Sequence, residues 1–228
     1  MDYPCTSNLA VDLGRIDYSA CLDLQRFLVG QVRSGQIPGV LLFLEHYPVY
    51  TIGRKADPNN YPMVEVIRTD RGGDVTYHGP GQLVIYPILR IASGDRIDVR
   101  AFVHQIEDIM MDSLKAYGYP AAVGDEPGIW IQVEGEIKKV ASIGMAIDHG
   151  ISYHGIAINL APEAISGFER IRPCGLNPDV MGYAGVPRSD LIKTITENFS
   201  LRFGTFHAIG QDELPSMQGG NISQKPTD

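Results

Sequence analysis

Three short apolar runs follow one another at residues 129–133, 137–147 and 151–160, and the breaks between them hold little more than Glu134-Gly135 and His149-Gly150. A parallel neighbour needs a crossover of a dozen or more residues. Breaks this tight therefore leave antiparallel hairpins, with glycine supplying the positive φ of the turn. Further runs at 39–45, 48–53, 64–68 and 82–89 also read as strands. Helices are fewer. Asp17 caps a segment in which Tyr18, Cys21, Leu22, Leu28, Val29 and Val32 recur near helical spacing, which places Cys21 in the core. Asp98 caps a second, with Val99, Phe102, Val103, Ile106, Ile109, Met110 and Leu114 on one face, and a third spans about 189–203. Strands outnumber helices without strict alternation, so the expected class is α+β: a mixed, largely antiparallel sheet packed with helices.

One domain is expected over 1–210. The stretch 211–228, rich in Gly, Ser, Gln and Pro, is expected to be a mobile tail. No run of about 18 apolar residues is present and residues 1–5 lack a secretory pattern, so a cytoplasmic protein without a membrane span is expected. Three cysteines, Cys5, Cys21 and Cys174, suit neither a disulfide framework nor a metal knuckle, and free thiols are expected. A net charge of -8 argues against a nucleic-acid partner. The cations Arg54, Lys55, Arg68, Arg71, Lys138, Lys139, Arg170 and Arg172 nevertheless fall in the middle of the chain. They are either a local patch or scattered surface charge.

Three segments carry candidate chemistry. Arg71-Gly72-Gly73-Asp74-Val75-Thr76-Tyr77-His78-Gly79-Pro80-Gly81-Gln82 packs four glycines, an Arg and a His into twelve positions. Such a loop lets backbone amides approach a ligand, and it matches neither a dinucleotide fingerprint nor a phosphate loop. An irregular hairpin is the alternative. In the run 151–160, Gly155 and Ala157 leave one strand side thin, which suits an apolar substrate chain or a closely packed helix, while His154 falls with apolar neighbours on the other side. Cys174, between Pro173 and Gly175, is presented by a turn. Nearby cations would raise its thiolate fraction, yet its own residues leave a reactive thiol and a structural turn cysteine both open.

Taken together, these segments resemble the lipoyl(octanoyl) transferase family. Glu45-His46-Tyr47-Pro48-Val49-Tyr50-Thr51-Ile52-Gly53-Arg54, the glycine-rich stretch 71–82, Gly128-Ile129-Trp130-Ile131, Lys139-Val140-Ala141-Ser142-Ile143-Gly144, His154-Gly155-Ile156-Ala157-Ile158-Asn159 and 168–175 follow in that family's order, across about residues 8–205. The resemblance implies a fold shared with biotin and lipoate protein ligases. It also implies transfer of an octanoyl group from octanoyl-acyl carrier protein, through a Cys174 thioester, to a lysine of lipoyl domains on 2-oxoacid dehydrogenase E2 subunits or the glycine cleavage H protein. Lys139 matches the family's catalytic lysine, with Lys138 as the alternative. Arg71, Gly72, Gly73, Asp74, Val75, Thr76, Tyr77 and His78, then Ser142, Ile143 and Gly144, and His154, Gly155, Ile156 and Ala157 match segments lining the acyl pocket. No metal or other cofactor is implied, and a monomer is expected. Asn177-Pro178-Asp179-Val180-Met181-Gly182-Tyr183 departs from the family pattern after the cysteine. Arg54, Lys55, Arg170 and Arg172 are expected to dock acidic carrier domains. The alternatives are an ATP-dependent lipoate or biotin ligase and a non-catalytic acyl- or carrier-binding protein.

Overall fold

A computed structural model describes residues 7–93, 96–124 and 127–215. The chain runs β1 (Asn8–Ile16), α1 (Tyr18–Arg33), β2 (Gly39–His46), β3 (Val49–Ile52), β4 (Ile67–Arg68), β5 (Val75–His78), β6 (Gln82–Leu89), β7 (Ala92–Ser93), β8 (Arg96–Ile97) and α2 (Val99–Lys115). It continues through β9 (Ala121–Val123), β10 (Gly128–Val133), β11 (Glu136–Asp148), β12 (Ile151–Asn159), α3 (Glu163–Ser166), α4 (Arg188–Phe203) and β13 (Phe206–Ala208).

Eight strands form the main sheet in the order β13-β1-β2-β6-β12-β11-β10-β9. The β1 pairings with β13 and β2 are parallel and the rest are antiparallel, so α1 is the crossover between β1 and β2. Both expected hairpins form. Glu134 (φ 50°) with Gly135 (φ 88°), and His149 (φ 47°) with Gly150 (φ 78°), put two consecutive residues in the left-handed region, the backbone of the turn that suits the twist of the flanking strands. A small sheet, β4-β3-β5, lies beside the main one.

Alternation along the strands divides the core. Leu41, Phe43, Leu83, Ile85, Ile156 and Ile158 face α2 and α4; Val40, Leu42, Leu44, Val84, Tyr86 and Ala157 face α1. Asp17 and Asp98 cap their helices through side-chain bonds to Ala20 N and Ala101 N. Cys21 is fully buried in the α1 layer. On α2, however, Val99 is exposed, whereas Glu107 and Ser113 are buried. Of the run expected at 64–68, only β4 pairs.

The folded body extends past 210. Gln211 Nε2 donates to Asp12 O, and Leu214 is buried against the α1 layer, so residues 211–215 are not a tail. The expectation for 216–228 lies outside the described residues. Among those described, no helix is long and apolar enough to cross a membrane.

Candidate active site

A narrow cleft is lined by Tyr18, Arg71, Gly73, Asp74, Val75, Thr76, His78, Tyr86, Pro127, Lys139, Ser142, Ile143, Gly144, His154, Gly155, Ile156, Ala157, Pro173 and Cys174. It brings Cys174 together with Lys139, 35 residues upstream, and with most residues singled out in the Gly-rich loop, β11 and β12. Gly72 and Tyr77 do not line it. Tyr77 points to the other side of β5, where its ring meets Phe168 edge-on, and Gly72 serves as backbone, its N–H donating to Met145 O at 2.8 Å.

The nucleophile candidate sits in a one-turn helix at Pro173–Gly175, where Cys174 takes φ 55°, ψ 31°. Pro173 fixes one side of the turn and Gly175 (φ 74°) relaxes the other. Arg172 N bonds Asn60 O at 2.8 Å and Gly175 N bonds Arg172 O at 3.0 Å, which holds the turn against the loop before β4.

Lys139 reaches the cleft by a break in strand regularity. Lys139 and Ser142 are three apart, so an unbroken pleat would set them on opposite faces. The register slips between Ile129↔Ala141 and Trp130↔Lys139, leaving Val140 as an extra residue that turns Lys139 onto the face of Ser142. Its side chain is buried, with Nζ 5.7 Å from the Trp130 ring centre. Lys138, the alternative, points away to Asp179 O and Glu136 and does not line the cleft.

Arg71 is also buried. Its Nη2 donates to Thr51 O (2.8 Å) and Thr51 Oγ1 (3.0 Å), and its Nη1 to Gly72 O (2.9 Å). Burial lowers its pKa, while Tyr18, Tyr86 and the Cys174 thiol are close enough to act in the opposite direction. The loop carrying Arg71 is tied to the end of β3 by Arg54 N→Arg71 O and Lys55 N→Gly73 O. Gly53 is required there, since a Cβ would lie 2.4 Å from Gly73 O.

The cleft wall holds neutral imidazoles. Burial depresses His78 well below the usual histidine value, and its Nδ1 donates to Gln82 Oε1 at 2.7 Å. Behind it, burial drives His46 down to about 4, with Nδ1 on Ile16 O and Nε2 accepting from Tyr86 OH. Gln82 passes the network to Asn159, and Asn159 Nδ2 donates to Gly182 O, anchoring the chain beyond the nucleophile turn.

His154 departs from its expected place among apolar neighbours. Its φ of 53° breaks the alternation of β12, so its ring stacks on Tyr153 at 4.8 Å and enters the cleft beside Gly155 and Ala157. Burial lowers its pKa and Asp70 raises it, with lowering the net result; Nε2–H on Asp70 Oδ1 (2.9 Å) leaves Nδ1 as an acceptor. Burial would raise Asp70, but bonds from Tyr153 and His154 outweigh it. His154 Nδ1 and Thr76 Oγ1 are buried with no hydrogen-bond partner among the described residues, the kind of group a polar ligand atom satisfies. The thin side of β12 has two causes. Gly155 and Ala157 leave room on the cleft, and a Cβ at 155 would meet Ile85 O at 2.2 Å. Among the described residues, no cluster of His, Cys, Asp and Glu could hold a metal ion.

Tyr18, Tyr86 and Asp70 escaped the sequence reading. Tyr18 read as a member of an apolar helix stripe, Tyr86 fell inside the strand run 82–89 without being singled out, and Asp70 meets His154 across 84 residues, a pairing that only the fold creates.

Residues 17–184 match the family model "Lipoyl protein ligase A/B catalytic domain". The chain is 40% identical over 176 residues to an octanoyltransferase of Chloroflexus aggregans, covering 72% of this chain and 78% of that protein. It is 42% identical over 167 residues to one of Methylococcus capsulatus, covering 72% and 77%. The fold resembles a lipoate-protein ligase A bound with ATP (TM-score 0.65, 16% identity, 91% of this chain and 90% of that one). It also resembles a bi-partite lipoate protein ligase from Thermoplasma acidophilum (TM-score 0.63, 18% identity, 91% and 88%). The chain therefore belongs to the lipoyl protein ligase A/B catalytic-domain family, and within it to the octanoyltransferases, which are acyltransferases.

Proposed function

We propose that this enzyme moves an octanoyl group from octanoyl-acyl carrier protein to a lysine of a lipoyl domain, on 2-oxoacid dehydrogenase E2 subunits or the glycine cleavage H protein, in two steps through a thioester on Cys174. The observation that carries the reading is the meeting of a turn-presented thiol and a buried lysine on one cleft whose far wall is thinned by Gly155 and Ala157.

A thiolate is the competent nucleophile, and an ammonium beside it favours that form. In the first step the Cys174 thiolate attacks the donor carbonyl. The carbon–sulfur bond to the carrier arm breaks, and the departing thiolate takes a proton from the Lys139 ammonium. In the second step the acceptor's neutral amine attacks the Cys174 thioester. Lys139, now neutral, takes the amine proton as the amide forms, and the Cys174 thiolate leaves, restoring the starting pair. The buried Arg71 adds a second fixed cation facing the same thiol. The donor thioester is already activated, so the cycle uses no nucleotide.

Intact-mass measurement after mixing with octanoyl-acyl carrier protein, without ATP, tests this. Wild type should gain one octanoyl group and Cys174→Ser none, and Lys139→Gln should slow the gain by about 10² to 10⁴. An unmodified wild type, or an ATP–pyrophosphate exchange activity, would sink the proposal and favour the ligase reading.

A further inference from the structure

On the other side of the nucleophile turn lies a second cavity, of about 690 Å³, lined by Asn59, Asn60, Pro62, Glu169, Arg170, Ile171, Arg172, Gly175, Asn177 and Pro178. Nothing in the transfer chemistry uses it. Cys174 faces the acyl cleft, while its neighbours Arg172 and Gly175 wall this cavity, so the two spaces meet at the nucleophile. They also share a partition, since Asp74 on the cleft accepts from Asn60 Nδ2 at 2.5 Å. The cavity is built from two loops tied together by Arg172 N→Asn60 O (2.8 Å) and Arg170 Nη2→Met63 O (3.0 Å).

Its lining is rich in donors. Two guanidiniums outnumber the one carboxylate, Glu169, and Asn59, Asn60 and Asn177 add amides. The Arg172 guanidinium makes no ion pair and no hydrogen bond among the described residues, so its five N–H donors are available in a planar fork that matches phosphate oxygens. Resting on the transfer reading above, we propose that this cavity seats the phosphodiester of the donor's phosphopantetheine arm, through Arg170 and Arg172, while the thioester at the arm's end lies over Cys174. The acyl cleft then selects the acyl chain and this cavity selects the carrier linkage.

Three donors separate the possibilities: octanoyl-pantetheine, which has no phosphate, octanoyl-4′-phosphopantetheine, and octanoyl-acyl carrier protein. The readout is the single-turnover rate of Cys174 acylation by intact mass. Wild type should prefer the phosphorylated small donor over octanoyl-pantetheine by about tenfold, a preference that shrinks with added salt. In Arg170→Gln/Arg172→Gln the preference should fall to near one, with a matching loss on the carrier protein. A wild-type preference of one, or a preference retained in the variant, overturns the seat. A loss confined to the carrier protein also overturns it, because the arginines would then meet the protein surface. Failure of all three donors to acylate Cys174 would instead bring down the transfer reading itself.

Discussion

Gly128 joins the backbone to the lysine proposed above as the proton carrier. Its φ is 149°, a conformation that L side chains rarely adopt, and a Cβ there would lie 2.4 Å from Ala141 O and 2.6 Å from Lys139 Cε. Replacing it with alanine adds backbone strain of about 1–3 kcal/mol. Overpacking adds about 1–3 kcal/mol, because Ala141 O belongs to the sheet and yields little. A combined loss of about 3 kcal/mol corresponds, in a chain of this size, to a fall of about 6–12 °C in melting temperature. The lysine can move where the carbonyl cannot. Regaining ordinary carbon–carbon contact from 2.6 Å displaces Cε by about 1 Å, and such a displacement of a catalytic group costs on the order of 10² in rate. Gly128→Ala should therefore lose both stability and Cys174 acylation rate, measured by thermal unfolding and by single-turnover intact mass at a temperature where the variant remains folded. A destabilised variant that acylates at the wild-type rate would refute the placement of Lys139, and an unchanged melting temperature would refute the backbone argument.

Two further outcomes test the frame around the site. His46 is neutral in the fold, depressed by burial from 6.5 to about 4, so its contribution to stability is present above pH 6.5 and is lost as pH falls through about 4. The gap of 2.5 units is worth about 3 kcal/mol, and His46→Gln should flatten the loss of stability between those pH values by roughly one proton in chemical denaturation; an unchanged slope would show that His46 is not the group being protonated. Gly30 lies in the interior of α1 without a positive φ, and a Cβ added there would meet nothing within 4 Å, so Gly30→Ala should stabilise by about 0.5–1 kcal/mol with acylation unaffected; a lower melting temperature would count against the helix packing described.

What the sequence made legible was local. Glu134-Gly135 and His149-Gly150 announce their hairpins because a two-residue turn demands positive φ, and Asp17 and Asp98 announce their helices because a carboxylate satisfies the first free amides. β1 went unread. Leu9, Val11 and Leu13 do alternate, but Gly14 and Arg15 interrupt the pattern at a register shift, and the pairings with β2 and β13 that make it a strand are distant in the chain. The site divides the same way. Cys174 and the Gly-rich loop could be singled out from their residues with their roles left open, while the face of Lys139 depends on an irregularity at Val140 that simple alternation predicts wrongly.

The same irregularities explain how the cleft is held ready. Four non-glycine residues among those described have positive φ. Glu134 and His149 need it for hairpins, but His154 and Cys174 both line the cleft, where no turn-forming requirement of the sheet applies. A left-handed non-glycine residue costs on the order of 1–3 kcal/mol and persists only when its surroundings overdetermine it. Those surroundings are identifiable. Asp70 and Gln25 hold His154 at Nε2 and at the backbone N–H, and Asn60 and Arg172 hold the Cys174 turn through backbone bonds on both sides. Neither clamp passes through the reacting atoms. The thiol and the imidazole can thus be fixed by groups that take no part in the transfer proposed above, and loosening Asp70 should degrade the orientation of His154 without removing a residue that lines the cleft.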